Sequence, residues 1–357
     1  MKILALDIGA GTEDVLLYDE EKRSIENCVK MVLPSPSLVF AKKVEAATNR
    51  CRSVLVEGSP IGGGAFAHAL KKHIEAGLDV YMTERSAYTI RNSLKEVREL
   101  GFKIVQGESS LERIPLETIR IKEINIEALE RLLAEFGESL SNTDVVAVAV
   151  QDHGASPPGI SNRRFRIQNM EKLLRKNPYP EYLSFEGSRI PKWFRRMNSA
   201  AQAVKNQLPH AKVLVMDTAP AAILGCLKDP TIQKIKSALV LNVGNCHTMA
   251  TLISEGKISA LMEHHTRRLS PSMMQQLLGR FTEGELTDEQ VFQSGGHGSF
   301  YLADALSAQE TEVVVATGPN RNILTDTNLG AHFAAPAGDV MMTGTMGLVE
   351  AVKRRFA

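Results

Sequence analysis

This chain has few of the features that mark specialised proteins. Only four cysteines occur in its 357 residues: Cys28, Cys51, Cys226 and Cys246. Their wide spacing gives no zinc knuckle, no redox CxxC pair and no iron–sulfur motif. Charge of one sign is not in excess. A formal net charge of +1 gives no global pull toward nucleic acid or membrane. No apolar run reaches the ~18 residues that a membrane helix requires. The first residues enter a strand pattern directly, without a signal-peptide layout. No low-complexity tract occurs. These absences lead to the expectation of a reduced, cytoplasmic setting. The remainder is ordinary globular composition, 43% hydrophobic and 23% charged. The length suffices for two domains with separate cores.

What is present is one pattern stated twice. Residues 4–18 read LALDIGAGTEDVLLY and residues 239–253 read LVLNVGNCHTMATLI. They align without a gap at an offset of 235, with Asp7 on Asn242 and Gly9 on Gly244. Each copy is an apolar strand, a turn of small residues and a second apolar strand. Two such hairpins, one in each half of the chain, predict two related lobes closing on a nucleotide.

Between the hairpins the pattern alternates. Strands are predicted at Ser53–Glu57, Asp79–Thr83 and near Lys103–Gln106, with helices at Ala65–Glu75 and Arg91–Glu99. This is the βαβ signature of a largely parallel sheet. A helix is predicted over Ile126–Leu140 and a strand over Asp144–Val150, whose continuous apolar run implies burial on both faces. Later predicted elements are a strand at Lys212–Met216, a small-residue helix at Ala219–Leu227 and a strand at Ile258–Glu263. Helices around Ser272–Leu278 and Gly298–Leu306 and a strand at Thr311–Ala316 follow. A strand at Val340–Thr343, a glycine turn and a helix at Leu348–Phe356 close the chain. Residues 161–197 differ in character. They hold ten Lys or Arg against three Glu, and six of nineteen aromatics, including the single tryptophan, Trp193. The expected organisation is an N-terminal lobe at 1–160, a basic, aromatic-rich insertion or lid at 161–211, and a C-terminal lobe at 212–357.

Chemistry concentrates in the turns. Asp7 at a strand end can orient the water shell of Mg²⁺, a hard cation that retains several waters. Gly9, Ala10 and Gly11 form a turn whose N–H groups can approach phosphate oxygens, with Thr12 adding a hydroxyl. An ordinary tight hairpin is the competing reading. Gly244, Asn245, His247 and Thr248 can serve the opposite side of a phosphate chain. Gly344, Thr345 and Gly347 lie where a glycine turn before a helix can carry adenosine or its α-phosphate. The Ser59–Gly64 loop reads as a tight connection, an anion site being the alternative. His264, His265 and His297 have no acidic or cysteine partner at ligand spacing, so they read as solvated or structural.

The order of hairpin, small-residue helix, second hairpin and glycine turn resembles the actin, Hsp70 and sugar-kinase ATPase superfamily. Its phosphate 1, connect 1, phosphate 2 and adenosine motifs would fall on Asp7–Thr12, Ala219–Gly225, Asn242–Thr248 and Thr343–Gly347. The resemblance implies an α/β fold of two RNase H-like lobes with ATP and Mg²⁺ in the cleft between them. Residues 146–154 (VAVAVQDHG) are similar to the substrate-bordering turn of xylulokinase- and glycerol-kinase-type enzymes. That implies substrate contacts from Gln151 and Gly154, with Asp152 or His153 facing the acceptor. Turn capping is the competing role for Asp152. The whole chain also looks like a family whose label links it to pyruvate formate-lyase activation. A radical-SAM activase needs three closely spaced cysteines, which this chain lacks.

Departures from the superfamily pattern matter equally. Phosphate 2 usually carries Asp, and here Asn242 brings no charge to a metal. Connect 1 in the Hsp70 branch begins with Glu, where this chain has Thr218 and Ala219. Two functions are therefore expected in competition. One is an ATP-dependent kinase acting on a small hydroxylated or carboxylated metabolite, with Asp7, Asp152 and His153 as its catalytic group. The other is an ATP-dependent switch acting on a protein partner. Residues 161–197 read as a lid or homodimer surface in preference to a nucleic-acid site.

Overall fold

A computed structural model describes residues 1–106, 116–302 and 311–356. Strands β1 (Lys2–Ile8), β2 (Thr12–Asp19) and β3 (Val29–Pro34) form an antiparallel meander. An α/β unit is inserted next. It comprises α1 (Pro36–Asn49), β4 (Ser53–Gly58), α2 (Gly64–Glu75), β5 (Val80–Thr83), α3 (Glu84–Ala87), α4 (Leu94–Glu99), β6 (Lys103–Val105) and β7 (Leu116–Ile121). Its four strands are parallel in the order β6-β5-β4-β7, as βαβ alternation requires. The chain returns through α5 (Ile126–Ala134), β8 (Val145–Val150), α6 (Asn162–Leu174), β9 (Ser184–Glu186), α7 (Arg195–Gln207), β10 (Lys212–Met216) and α8 (Thr218–Cys226). β8 and β10 lie parallel to β1, giving a first sheet in the order β3-β2-β1-β8-β10-β9.

The second half repeats this plan. Strands β11 (Ser237–Val243), β12 (His247–Ser254) and β13 (Lys257–His265) form another meander. After α9 (Pro271–Thr282), α10 (Asp288–Gln293) and β14 (Gly298–Tyr301) come β15 (Val313–Thr317) and β16 (His332–Phe333), both parallel to β11. The last element is α11 (Thr343–Phe356). Second-sheet order is β14-β13-β12-β11-β15-β16. Three antiparallel strands followed by two parallel ones, twice in one chain, make two RNase H-like lobes of the actin-like ATPase type.

Strand period puts alternate residues on opposite faces. Ile3 and Ala5 of the first sheet, and Ala238 and Val240 of the second, share one core with α8 and α11. Leu4, Leu6 and Ile8 face α5 and α7 instead, while Leu239 and Leu241 face α9. The layers therefore run helices, first sheet, α8 with α11, second sheet, helices. Among the described residues, no helix is long and apolar enough to cross a membrane.

Five expectations need correction. The boundaries 1–160, 161–211 and 212–357 cut across the first sheet, which includes β9 and β10. Residues 161–197 are built into that lobe and are no separate lid. Arg166 and Phe194 are buried, and Arg195 lies 3.7 Å over the Tyr88 ring. The helix over Ile126–Leu140 stops at Ala134, because Gly137 is left-handed (φ 75°) and Glu130 captures the Leu140 N–H at 2.6 Å. In place of a helix at Gly298–Leu306, Gly298–Tyr301 pairs with β13, and positions 303–306 lie outside the described residues. Finally, Val340–Met342 is a 3₁₀ turn capped by Asp339, and α11 starts at Thr343. Gly344 and Gly347 thus sit inside a helix. Glycine weakens a helix interior, but here it admits another backbone. A Cβ at Gly347 would lie 1.8 Å from the Ala221 carbonyl oxygen of α8, and one at Gly225 equally close to that of Thr343.

Candidate functional site

Both hairpins close in the same way. Gly9 N–H donates to the Thr12 carbonyl at 2.9 Å, and Gly244 N–H donates to the His247 carbonyl at 2.9 Å. These bonds are again 235 positions apart. The two turns face each other across a cleft of about 310 Å³ between the lobes. Their tips nearly touch, a Cβ at Gly11 lying 3.0 Å from the Asn245 side-chain nitrogen. Asp7, Gly9, Ala10, Thr12, Gln151, Gly244, Asn245, His247 and Gly344 line the cleft. Gly62, Gly63 and Gly64 line its far wall, so the Ser59–Gly64 loop reaches the site.

Asp7 is the last inward residue of β1 on the face of Ile3 and Ala5. The hairpin register sets Asp14 directly opposite it. Each carboxylate has one buried oxygen without a hydrogen-bond partner. Burial raises the Asp7 pKa well above normal, and the nearby charges of Asp14 and Asp217 raise it further. Burial also pushes Asp14 up to about 7, against a hydrogen bond from Thr12. Glu13 is pushed up to about 7 by burial and by Glu123. Unpaired oxygens, hard donors and repelling charges fit a divalent cation such as Mg²⁺, with Asp7 and Asp14 as its anchors. In the second hairpin the equivalent pair is Asn242 and Met249, so both carboxylates belong to the first lobe.

Other sequence-predicted residues lie elsewhere. Asp152 does not line the cleft. Its carboxylate accepts N–H groups from Gly154 at 2.9 Å, Arg196 at 2.8 Å and Met197 at 3.2 Å, capping the start of α7. Burial raises its pKa while these bonds oppose the rise. The acceptor-facing role expected for Asp152 is thereby corrected. Gly154 packs against Phe165 and Trp193. Thr248 is buried with its hydroxyl 3.0 Å from that of Thr266, and Thr345 is buried with its hydroxyl on the Met342 carbonyl. Gly347 is covered by α8, leaving Thr343 and Gly344 of the expected adenosine motif on the cleft. Thr317, Gly318 and Pro319, at the end of β15, line the cleft in their own glycine turn. Gly318 is left-handed (φ 96°), and a Cβ there would lie 2.5 Å from the Val243 carbonyl oxygen.

Three arginine ion pairs escaped the sequence reading. Arg166 is fully buried and bidentate to both Asp217 (2.6 and 2.8 Å) and Glu263 (2.7 and 2.9 Å). Burial alone would raise Glu263, yet the Arg166 charge holds it well below the carboxylate range. Arg196 pairs with Glu123 at 2.8 Å and donates to the Gln151 carbonyl. Arg166 and Arg196 of the basic stretch are thus turned into ion pairs. The histidines also gather. His153 lies outside the cleft lining, with its Nε2 2.9 Å from His297 Nε2, and His247 Nδ1 meets the Gln151 amide at 2.7 Å. Their partners come from distant strands, so local spacing carried no signal. Among the described residues no cysteines converge.

A family model described as "Putative pyruvate format-lyase activating enzyme (DUF1786)" matches residues 61–323. The chain belongs to this family. No curated protein matches it. Solved structures with similarity to this family member include the PilM–PilN type IV pilus biogenesis complex, at 13% identity and TM-score 0.40 over 99% of each chain. Lmo2764 of Listeria monocytogenes, described as "a putative N-acetylmannosamine kinase", shares 10% identity at TM-score 0.38 over 100% of both chains. MreB5 of Spiroplasma citri, bound to ADP, shares 8% identity at TM-score 0.29, covering 99% of this chain and 97% of its own.

Proposed function

We propose that this protein binds MgATP in the interlobe cleft and transfers the terminal phosphoryl group to a small hydroxylated or carboxylated metabolite. The strongest support is the Asp7–Asp14 pair, two unpartnered carboxylate oxygens beneath two facing glycine turns. Asp7 and Asp14 would hold Mg²⁺, whose charge would neutralise the phosphates when bound. Backbone N–H groups of the two turns would grip the phosphate chain, and the Thr317–Pro319 turn would border the nucleoside. Gln151, Glu123, Arg196 and the Gly62–Gly64 loop give the acceptor end a polar wall. With Asp152 committed to capping and Asp14 to the metal, Glu13 would take the acceptor hydroxyl proton, since a pKa near 7 suits a general base.

A second reading is an ATP-driven switch that acts on a protein partner. Asn242 and Met249 favour it, because the second hairpin brings no carboxylate to the metal. Calorimetry with MgADP and MgATP tests both readings, and absence of binding overturns both. A panel of sugars, polyols and organic acids then separates them. Acceptor-stimulated ADP release supports the kinase, and binding without stimulation by any acceptor supports the switch.

A further inference from the structure

Beneath the cleft, three elements from both lobes bring histidines together. His153 follows β8 in the first lobe, while His247 opens β12 and His297 precedes β14 in the second. Their ligand-capable atoms all lie within 4.8 Å of one another. The rings pack at centroid distances of 4.7 to 5.3 Å, and the His265 ring lies against both His247 and His297. His297 is fully buried.

The geometry points to a divalent transition-metal site of the zinc class, held by His153, His247 and His297. Imidazole nitrogen suits this class, whereas Mg²⁺ prefers oxygen. His153 Nε2 and His297 Nε2 face each other at 2.9 Å. Zinc–nitrogen bonds of about 2.0–2.1 Å place neighbouring tetrahedral donors roughly 3.3 Å apart, so a small opening admits the ion. His247 Nε2 is buried without any partner. The Gln151 side-chain nitrogen lies 2.7 Å from His247 Nδ1; with the amide turned over, its oxygen would accept Nδ1–H and leave Nε2 free to ligate. On His297 the other ring nitrogen, Nδ1, is buried without a hydrogen-bond partner, 4.0 Å from Glu263 Oε2. Arg166 does not repel the ion, because Asp217 and Glu263 together outweigh its charge. Three protein nitrogens leave a fourth position, and His247 borders the nucleotide cleft there. This site is separate from Asp7 and Asp14 and does not depend on nucleotide binding.

The test strips the full-length protein with chelator, dialyses it against Zn²⁺ or Co²⁺ and counts bound metal by mass spectrometry. About one ion per chain is expected, with the intense visible absorption of low-coordinate Co²⁺. His153→Gln and His297→Gln should each abolish retention. Gln151→Ala should weaken affinity ~10–100-fold, and exposed His210→Ala should leave it intact. Circular dichroism checks that each variant is folded. Overturning results are no retained metal in the wild type, or equal retention in folded His153→Gln/His297→Gln protein. MgADP calorimetry on the same sample reports on the nucleotide reading separately.

Discussion

Asp7 and Gly344 occupy one space, a Cβ at position 344 falling 1.8 Å from Asp7 Oδ2. Glycine in the first turn of α11 therefore leaves the carboxylate room on the cleft floor. Gly344→Ala should displace Asp7 and weaken MgADP binding as severely as Asp7→Ala does. Calorimetry with and without Mg²⁺ reads this, and unchanged affinity in both variants would sink the metal assignment.

The glycines at the α8–α11 contact serve packing. Gly225→Ala and Gly347→Ala each force a methyl group into a facing carbonyl. Overpacking of this kind costs typically 1–3 kcal/mol. Urea denaturation should show each loss.

Asp152 should behave as a cap. Asp152→Ala leaves buried N–H groups of α7 unsatisfied, at a cost of about 1–3 kcal/mol, while nucleotide affinity stays at the wild-type value. If turnover collapses with stability intact, Asp152 acts on the substrate after all.

The Asp14 shift carries a pH signature. A carboxylate whose folded pKa is raised, here to about 7 from 3.8, contributes stability at low pH that is lost as pH rises through the folded value. Asp14→Asn should therefore gain stability relative to wild type between about pH 4 and 7 and hold that gain above it. Melting curves of both proteins across that range, without divalent cation, check this. Added Mg²⁺ should narrow the difference by stabilising only the wild type.

How far the sequence could be read follows from where partners lie. The doubled hairpin was legible because its strand period, turn and offset are local. The inserted parallel sheet was legible because alternating βαβ patterns are local too. The Val340–Thr343 strand was misread because glycine promises a turn, whereas Gly344 answers to Asp7 and Gly347 to α8, both more than a hundred residues upstream. Asp152 was misassigned because its partners Arg196 and Met197 follow an intervening helix and strand. Arg166 looked like surface charge in a basic run, since neither Asp217 nor Glu263 is near it in sequence. His153, His247 and His297 are joined only by the closure of two lobes.

Arg166 takes one carboxylate from each side of the molecule, Asp217 at the end of the first sheet and Glu263 from the second. Separating either would strand a buried charge, a loss of about 3–5 kcal/mol. The base of the molecule is thus riveted while its mouth, at the hairpin tips, is held by contacts of far smaller energy. Opening about that base, as a jaw opens, is the expected motion. Spin labels at the tips should move apart when nucleotide leaves, while a pair flanking Arg166 keeps its distance.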